Sequence, residues 1–283
     1  MAAPLKDKVT RELNLEQVEL LDGDSILAEI DERSGSSPVA LRIASEVDST
    51  NDRLLAMPAS QRHRMALLAE HQTSGRGRRG RRWVSPYGRN IYLSLGWTFE
   101  SGASALGCLP LVVALAACDA LAQAGLQGQR VKWPNDLLLD GRKLGGCLVD
   151  IQGDASGPSH AVMGVGLNLY MPAGLPEAAA IDQPWTDLGA ALPGQSRNRL
   201  AGLLLNAMLA KTSQFSSQGF QPLQAEWRAR DGLAGQQVEL SHASGTVCGR
   251  VLGITARGAL RLQLSSGTGE YAAGEVSIRN RDS

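Results

Sequence analysis

Arginine and glycine crowd into GRGRRGRRW, residues 75–83, which holds five arginines and three glycines. Guanidinium groups are planar forks that match phosphate and carboxylate oxygens, and glycine lets a backbone approach a bound group closely. The segment is therefore read as a holder of an anion: a nucleic acid, a dinucleotide or something smaller. Gly75, Gly77 and Gly80 satisfy the G-x-G-x-x-G spacing, but that fingerprint needs a helix opening at the third glycine and an acidic residue about 20 positions on. Here RRWVSPYGRNIYLSL follows, with Pro86 and Gly88 leading into a strand, so the dinucleotide reading fails. A solvated surface loop is the plain alternative for any arginine cluster. Against it stand the flanks, AEHQTS and WVSPYGRN, which set specific polar and aromatic groups beside strand-like runs.

Three smaller polar clusters accompany the loop. In DSTN, Asp48 or Ser49 is placed to cap a short helix, DSTNDRLLAM. In KWPND, Pro134 pushes Trp133 out of the helical region and makes a turn that presents Asn135 and Asp136 after a strand. In RKLGG, Lys143 precedes Gly145 and Gly146. Taken singly, each is an ordinary cap or turn. The four cysteines, Cys108, Cys118, Cys147 and Cys248, include no C-x-x-C pair and read as buried free thiols. The four histidines show no metal-ligand spacing.

The elements that must position these groups follow from composition and pattern. Of the 283 residues, 28 are basic and 28 acidic, so the net charge is zero, which argues against a protein that coats a nucleic acid. Hydrophobic residues make up 43% and charged ones 20%, enough apolar material for a full core. The first residues carry both signs of charge and no apolar signal-peptide run. LGCLPLVVALAACDALA, from Leu106, contains Pro110 and Asp119 and falls short of the roughly 20 residues a bilayer span needs. The expected location is cytoplasmic. Residues 1–36 read as a charged helical lead-in. Strands are expected at ALRIASEV, MALLAEHQ, NIYLSLGW, QRVKW, KLGGCLVDIQ and AVMGVGLNLY, with a buried helix from about Leu106 to Ala124 and further helices at RLAGLLLNAMLAKTSQF and PLQAEWRAR. From Asp231 the pattern changes to short strands broken by SG, RG and GTGE turns, which suggests a small separate β-barrel.

AEHQTSGRGRRGRRWVSPYGRNIYLSL resembles the signature loop of biotin protein ligases. EVDSTN at 46–51, KWPNDL at 132–137, RKLGGCLVD at 142–150 and GVGLNL at 164–169 resemble the same family in the same order, and GEVSIR at 274–279 resembles the close of its C-terminal domain. The resemblance spans roughly residues 40 to 280, and ordered motifs together are far more specific than any one alone. It implies an α+β fold: a class II aminoacyl-tRNA-synthetase-like, biotin/lipoate-ligase catalytic domain with a mixed sheet flanked by helices, at 37–230, and an SH3-like β-barrel at 231–283.

The implied reaction joins biotin to a lysine of a biotin carboxyl carrier protein through biotinyl-adenylate, with ATP and Mg²⁺. Lys143, Arg78 and Lys132 are the catalytic candidates by this resemblance. Ser49, Thr50, Asn51, Gln72, Gly75, Arg76, Gly77, Arg78, Lys143 and Gly146 are implied at biotin. Arg78, Arg81, Trp83, Lys132, Asn135, Asp136, Asn168 and Trp185 are implied at the nucleotide, with Asp136 also implied at the metal. The resemblance makes the partners biotin, ATP and the carrier protein, the state a monomer or homodimer, and membrane contact none. Only about 45 residues precede DSTN, so no helix-turn-helix and no specific DNA binding are expected. Lipoate ligases and octanoyl transferases share the implied fold and form the enzymatic alternative. A ligand-sensing, nucleic-acid-binding module is the alternative from another class.

Overall fold

The fold is taken from a computed structural model, which describes residues 18–31, 38–171, 174–242, 245–272 and 277–280. Most of the expected lead-in and the first residues of GEVSIR lie outside these. Within the lead-in, one short helix forms, α1 at Gly23–Leu27, capped by the Asp22 carboxylate.

A seven-stranded sheet carries the larger part. Its strands are β1 (Ala40–Ala44), β2 (Met65–Ala69), β3 (Ile91–Phe99), β4 (Arg130–Lys132), β5 (Asp136–Leu139), β6 (Arg142–Gly153) and β7 (Ser159–Leu167). They lie in the order β1-β2-β3-β7-β6-β5-β4. The first pair is parallel and every other pair antiparallel, so the sheet is mixed, as the resemblance implied. The strand β5 was not expected; it is the outgoing arm of the KWPND turn, and its LLL run was too short to separate from that turn by pattern.

The two faces of the sheet have different work, and β7 shows how they are divided. Successive side chains on a strand point to opposite faces. Met163 meets Thr212 of the long helix Arg197–Gln218, while its neighbour Gly164 faces Asn51 on the other side. One face is therefore covered by the apolar helix Leu109–Gln123 and by Arg197–Gln218. The first of these is buried nearly all round, as befits a helix without a polar face. The other face carries α2, Thr50–Leu55, and the arginine segment.

Past Asp231, five antiparallel strands form a second sheet: Gln237–His242, Gly245–Ile254, Leu260–Leu264, Gly267–Tyr271 and Ser277–Asn280. It is fastened to the first. Gly232 donates its N–H to Val131 O at 2.8 Å, and the Trp133 indole N–H donates to Gly258 O at 2.8 Å. Val238, Leu240, Val251, Leu260 and Leu262 belong to the same continuous core as the large sheet. Cys108, Cys118 and Cys147 are buried, and burial pushes the Cys118 thiol up to about 11. Cys248, by contrast, is exposed. It falls on the outward half of the Gly245–Ile254 strand, between the inward Val247 and Gly249, so the expectation of four buried thiols fails at this one. Among the described residues no helix is long and apolar enough to cross a membrane.

A buried ion pair ties the chain's early segment to the base of the arginine loop. Arg197, at the start of its helix, places Nη1 2.5 Å from Glu70 Oε2, and both side chains are almost wholly enclosed. The same guanidinium donates to Asn90 O and Glu19 O. Glu70 also accepts from Leu21 N–H, while the Glu19 carboxylate accepts from Ser196 Oγ and the Arg197 and Asn198 amides. Removing one partner of such a pair strands the other charge, at a cost of about 3–5 kcal/mol. Arg197→Met should therefore lower unfolding stability by roughly that amount, read from the urea midpoint. A loss below about 1 kcal/mol would show that the pair is dispensable.

Candidate active site

A chain of buried polar groups begins at the cap of α2 and reaches the base of the arginine segment. Ser49 is the cap: its backbone is extended and its hydroxyl accepts from Asp52 N–H. Thr50 N–H and Oγ1 both donate to Gln72 Oε1, at 2.9 and 3.2 Å. Gln72 Nε2 donates in turn to Ser85 Oγ at 3.2 Å. Ser94 Oγ, from the centre of β3, lies 2.7 Å from Thr50 Oγ1 and 2.6 Å from Asn51 Oδ1. Asn51 Nδ2 donates to Leu148 O and to Asp150 Oδ2, at 3.2 and 2.8 Å. Ser49, Thr50, Asn51 and Gln72 are thus brought together, all buried. Ser85, Ser94 and Asp150 complete the set and were missed. Ser94 had a legible signal: a lone hydroxyl among Leu93 and Leu95 in a fully buried strand must find partners.

The arginine segment is a small hairpin. Trp83 N–H donates to Gly75 O at 2.8 Å, Gly77 N–H to Arg81 O at 2.7 Å, and Arg76 bridges Arg82. Arg79 and Gly80, both at positive φ, turn its tip. A Cβ at Gly75 would stand 2.8 Å from Trp83 O and 2.9 Å from Ser85 Oγ. Gly75 is therefore required by the hairpin's own closure, not only by approach of a ligand. Trp83 lays its indole on Gly166 of β7, where an added Cβ would come within 2.4 Å of the ring. Its neighbour on the sheet, Gly164, makes the same room for Asn51, at 2.3 Å.

Four of the cations, Arg76, Arg78, Arg81 and Lys143, meet separate partners. Arg76 meets Asp52 at 2.5 Å and Asp150 at 3.1 Å. Arg78 donates to Asn135 Oδ1 at 3.3 Å, and burial, with Arg79 nearby, draws its pKa down. Arg81 lies 3.9 Å from Asp182 on the surface. Lys143 Nζ lies 2.7 Å from Asp136 Oδ1, with both side chains largely enclosed, and 5.6 Å from the Trp83 ring centroid.

The KWPND turn and the strand β6 are locked together. Asn135 Nδ2 donates to Cys147 O, Asn135 O accepts from Cys147 N–H, and the Trp133–Pro134 peptide is cis. Main-chain bonds from Lys143 N–H to Pro184 O and from Thr186 N–H to Lys143 O set Trp185 directly beside Lys143. Asn168 joins the same corner through Leu144 O and Thr186 O. A Cβ at Gly146 would make ordinary contact with Lys143 and Asp136, so crowding does not require a glycine there. Burial pulls the Lys132 ammonium below the usual lysine range; Lys143 and Arg81 push the same way and Asp136 opposes them.

A cavity of about 660 Å³, lined by residues 73–82 and Leu148, opens along the hairpin. That is the size of pocket which takes a small organic ligand. Gly75, Arg76, Gly77, Arg78 and Arg81 line it; the other implied residues stand outside its lining, among them Ser49, Thr50, Asn51 and Gln72 on one side and Lys132, Asp136 and Lys143, linked through Asn135 and Arg78, on the other. Among the described residues no three side chains are grouped to hold a metal. A single carboxylate, Asp136, amid cations fits a Mg²⁺ that arrives on phosphates, since that ion keeps several waters and needs few protein ligands.

Residues 44–168 match the model of the biotin/lipoate A/B protein ligase family, and residues 234–279 match the biotin protein ligase C-terminal domain. The bifunctional ligase/repressor BirA of Escherichia coli is 35% identical over 94% of this chain and 81% of its own length. The chain belongs to the biotin protein ligase family. The biotin--[acetyl-CoA-carboxylase] ligase of Mycobacterium tuberculosis is 34% identical over 91% of this chain and 98% of its own. Among solved structures, the biotin protein ligase of Aquifex aeolicus in complex with biotin and ATP superposes with a TM-score of 0.73 at 28% identity, covering 85% of this chain and 99% of that one. The mixed sheet with its helices and the small SH3-like sheet are the fold of this family.

The glycines of β7 give a direct test of this packing. Gly164→Ala must displace Asn51 from its bonds to Ser94 and Asp150. It should cost about 1–3 kcal/mol, the usual penalty for overpacking, measured by chemical denaturation. A neutral result would mean that Asn51 has another place to go.

Proposed function

We infer that this chain is an ATP-dependent biotin protein ligase. It activates biotin to biotinyl-5′-AMP, releasing pyrophosphate, and then passes the biotinyl group to a lysine of the biotin carboxyl carrier protein of acetyl-CoA carboxylase. The observation that carries this reading is the gathering of separately anchored cations around one cavity and the adjoining Lys143–Asp136 pair. The relatives named for this activity support it.

In the first step a biotin carboxylate oxygen bonds to the α-phosphorus, and the bond to the pyrophosphate oxygen breaks. Two anions must meet, so positioning and charge stabilisation dominate the catalysis. Lys143 takes the charge on the carboxylate and α-phosphate, with Lys132 and Arg78 beside it. Ser49, Thr50, Asn51, Gln72, Gly75, Arg76, Gly77 and Gly146 form the biotin side. Arg81, Trp83, Asn135, Asp136, Asn168 and Trp185 form the nucleotide side. Asp136 would hold Mg²⁺, which would supply charge neutralisation at the phosphates. In the second step the carrier's lysine amine attacks the anhydride carbonyl, losing a proton as AMP leaves. The arginine hairpin covers the intermediate against water.

The division into a catalytic part at 37–230 and a C-terminal part at 231–283 belongs to the same proposal. So does the absence of sequence-specific DNA binding: the net charge is zero, and the densest run of arginines lines the cavity. A promoter-specific gel shift at moderate salt would overturn that point.

The purified chain should biotinylate a carrier domain with biotin and MgATP, and should leave lipoate and octanoate untouched. Lys143→Ala should keep the fold and slow adenylate formation by about 10²–10³-fold, the scale of losing one electrostatic donor. A wild type inert with all three acids would end the reading. The pH profile tests Lys132. A lysine held below 10.5 keeps its charge only below that lowered value, so adenylation should fall on the alkaline side earlier than an ordinary lysine would dictate. Lys132→Arg should move that fall upward, and an unmoved alkaline limb would remove Lys132 from the mechanism.

A further inference from the structure

Asp150 has no role in the reading above, yet it is where the buried polar chain and the arginine hairpin meet. It stands on β6 two residues beyond Leu148, which lines the cavity, and so points to the same face. Both of its oxygens are in use. Oδ1 receives Arg76 Nη2 at 3.1 Å, and Oδ2 receives Asn51 Nδ2 at 2.8 Å and Arg76 Nη1 at 3.4 Å. Asn51 is itself fixed by Leu148 O, Ser94 and the close seat at Gly164. Its carboxamide therefore offers Asp150 a donor that cannot turn away.

The second carboxylate on Arg76 is differently placed. Asp52 lies in the first turn of a six-residue helix and is 41% exposed, against 23% for Asp150. An exposed ion pair contributes little and leaves its partners free to reorient. A carboxylate on a strand paired to β7, with a buried amide on one oxygen and a guanidinium fork on both, fixes direction as well as charge. Asp150 is the rigid half of the clamp.

We propose that Asp150 is a positioning residue for the ligase reaction: held by Asn51, it aims the Arg76 guanidinium into the cavity so that the hairpin retains the adenylate. This rests on the biotin-ligase reading. It gives Asn51 the task of orienting Asp150, and it extends the set of functional residues to a side chain that need not touch biotin or nucleotide. Replacing the carboxylate by an amide of the same size turns one oxygen into a donor. That donor faces either Asn51 Nδ2 or the Arg76 fork, so the arrangement cannot close.

The test is release of biotinyl-adenylate from the full chain in single turnover, with no carrier protein present. It compares the wild type, Asp150→Asn, Arg76→Ala and the double variant, with the denaturation midpoint of each. Asp150→Asn should remain folded and release adenylate on the order of ten- to a hundredfold faster, the range for losing a charge-assisted bond. The double variant should release it no faster than Arg76→Ala alone, because the two residues act as one unit. Asp52→Asn, which leaves the rigid half in place, should change release less than threefold. If the wild type forms adenylate and Asp150→Asn retains it equally well, or if the two effects simply add, the proposal falls and the ligase reading stands. If Asp150→Asn fails to fold, Asp150→Ser takes its place under the same criteria. If the wild type forms no adenylate, both fall together.

Discussion

Like charges do not stay together unless something holds each of them. Two cations 4 Å apart repel by about 4 kcal/mol at an effective dielectric near 20, and this chain gathers five arginines in nine residues beside Lys132 and Lys143. The structure meets that constraint by giving separate anchors to the cations that matter: Asp52 and Asp150 for Arg76, Asn135 for Arg78, Asp182 for Arg81 and Asp136 for Lys143. The anchors sit on different elements. They come from the first turn of α2, from β6, from the turn between β4 and β5, and from the segment after β7. The fold is therefore what sets the cations apart, and an anion can enter an array already assembled.

Room is the second requirement, and β7 supplies it. A strand whose outward positions are Gly164 and Gly166 has nothing above its backbone, so Asn51 and the Trp83 ring settle against the sheet itself. Trp83 closes the hairpin through Gly75 O and approaches Lys143 across the same strand. The hairpin is thereby registered to the sheet rather than to its own flanks. On the reverse face the apolar helices bury the alternate residues, among them Met163 and Val165, and keep the strand flat against them.

Much of this was legible in the sequence. Long apolar runs marked β3, β6 and β7, and the mostly apolar helix Leu109–Gln123 was expected from Leu106. The cap at Ser49 was one of two residues read for it. Residues of separate motifs meet in pairs, Thr50 with Gln72 and Arg78 with Asn135, because the same motifs carry the turns and caps that aim them. What escaped was of another kind. Ser94 and Asp150 lie inside strands, where a polar residue advertises no partner until the neighbouring strand is known. Trp185 was named only through the resemblance, because a single parallel bridge to Lys143, and no local pattern, sets its position. The sequence also hid a second demand on Gly75, which lines the cavity and whose missing side chain leaves room for Trp83 O and Ser85. Cys248 shows the same limit, for its exposure depends on which half of a strand faces out.

Anchoring by carboxylates would defeat its purpose if the anchors competed with the substrate for the same hydrogens. Donor counting shows that they need not. A guanidinium has five N–H groups and an ammonium three. Asp136 occupies one direction around Lys143 Nζ, which leaves two N–H bonds for a carboxylate and a phosphate oxygen. Asp52 and Asp150 take Arg76 at Nη1 and Nη2, and those two nitrogens together carry four hydrogens. Asp136 and Asp150, the more enclosed of these carboxylates, fix one side of Lys143 and of Arg76, so the remaining donors keep a set direction. An anion entering there meets hydrogens already aimed, and the ordering that would otherwise oppose binding has been done in folding. The same carboxylates then set an upper limit on how tightly a phosphate is held, because part of each cation's charge is already satisfied. A ligase that must release pyrophosphate after one step and AMP after the next is served by that limit.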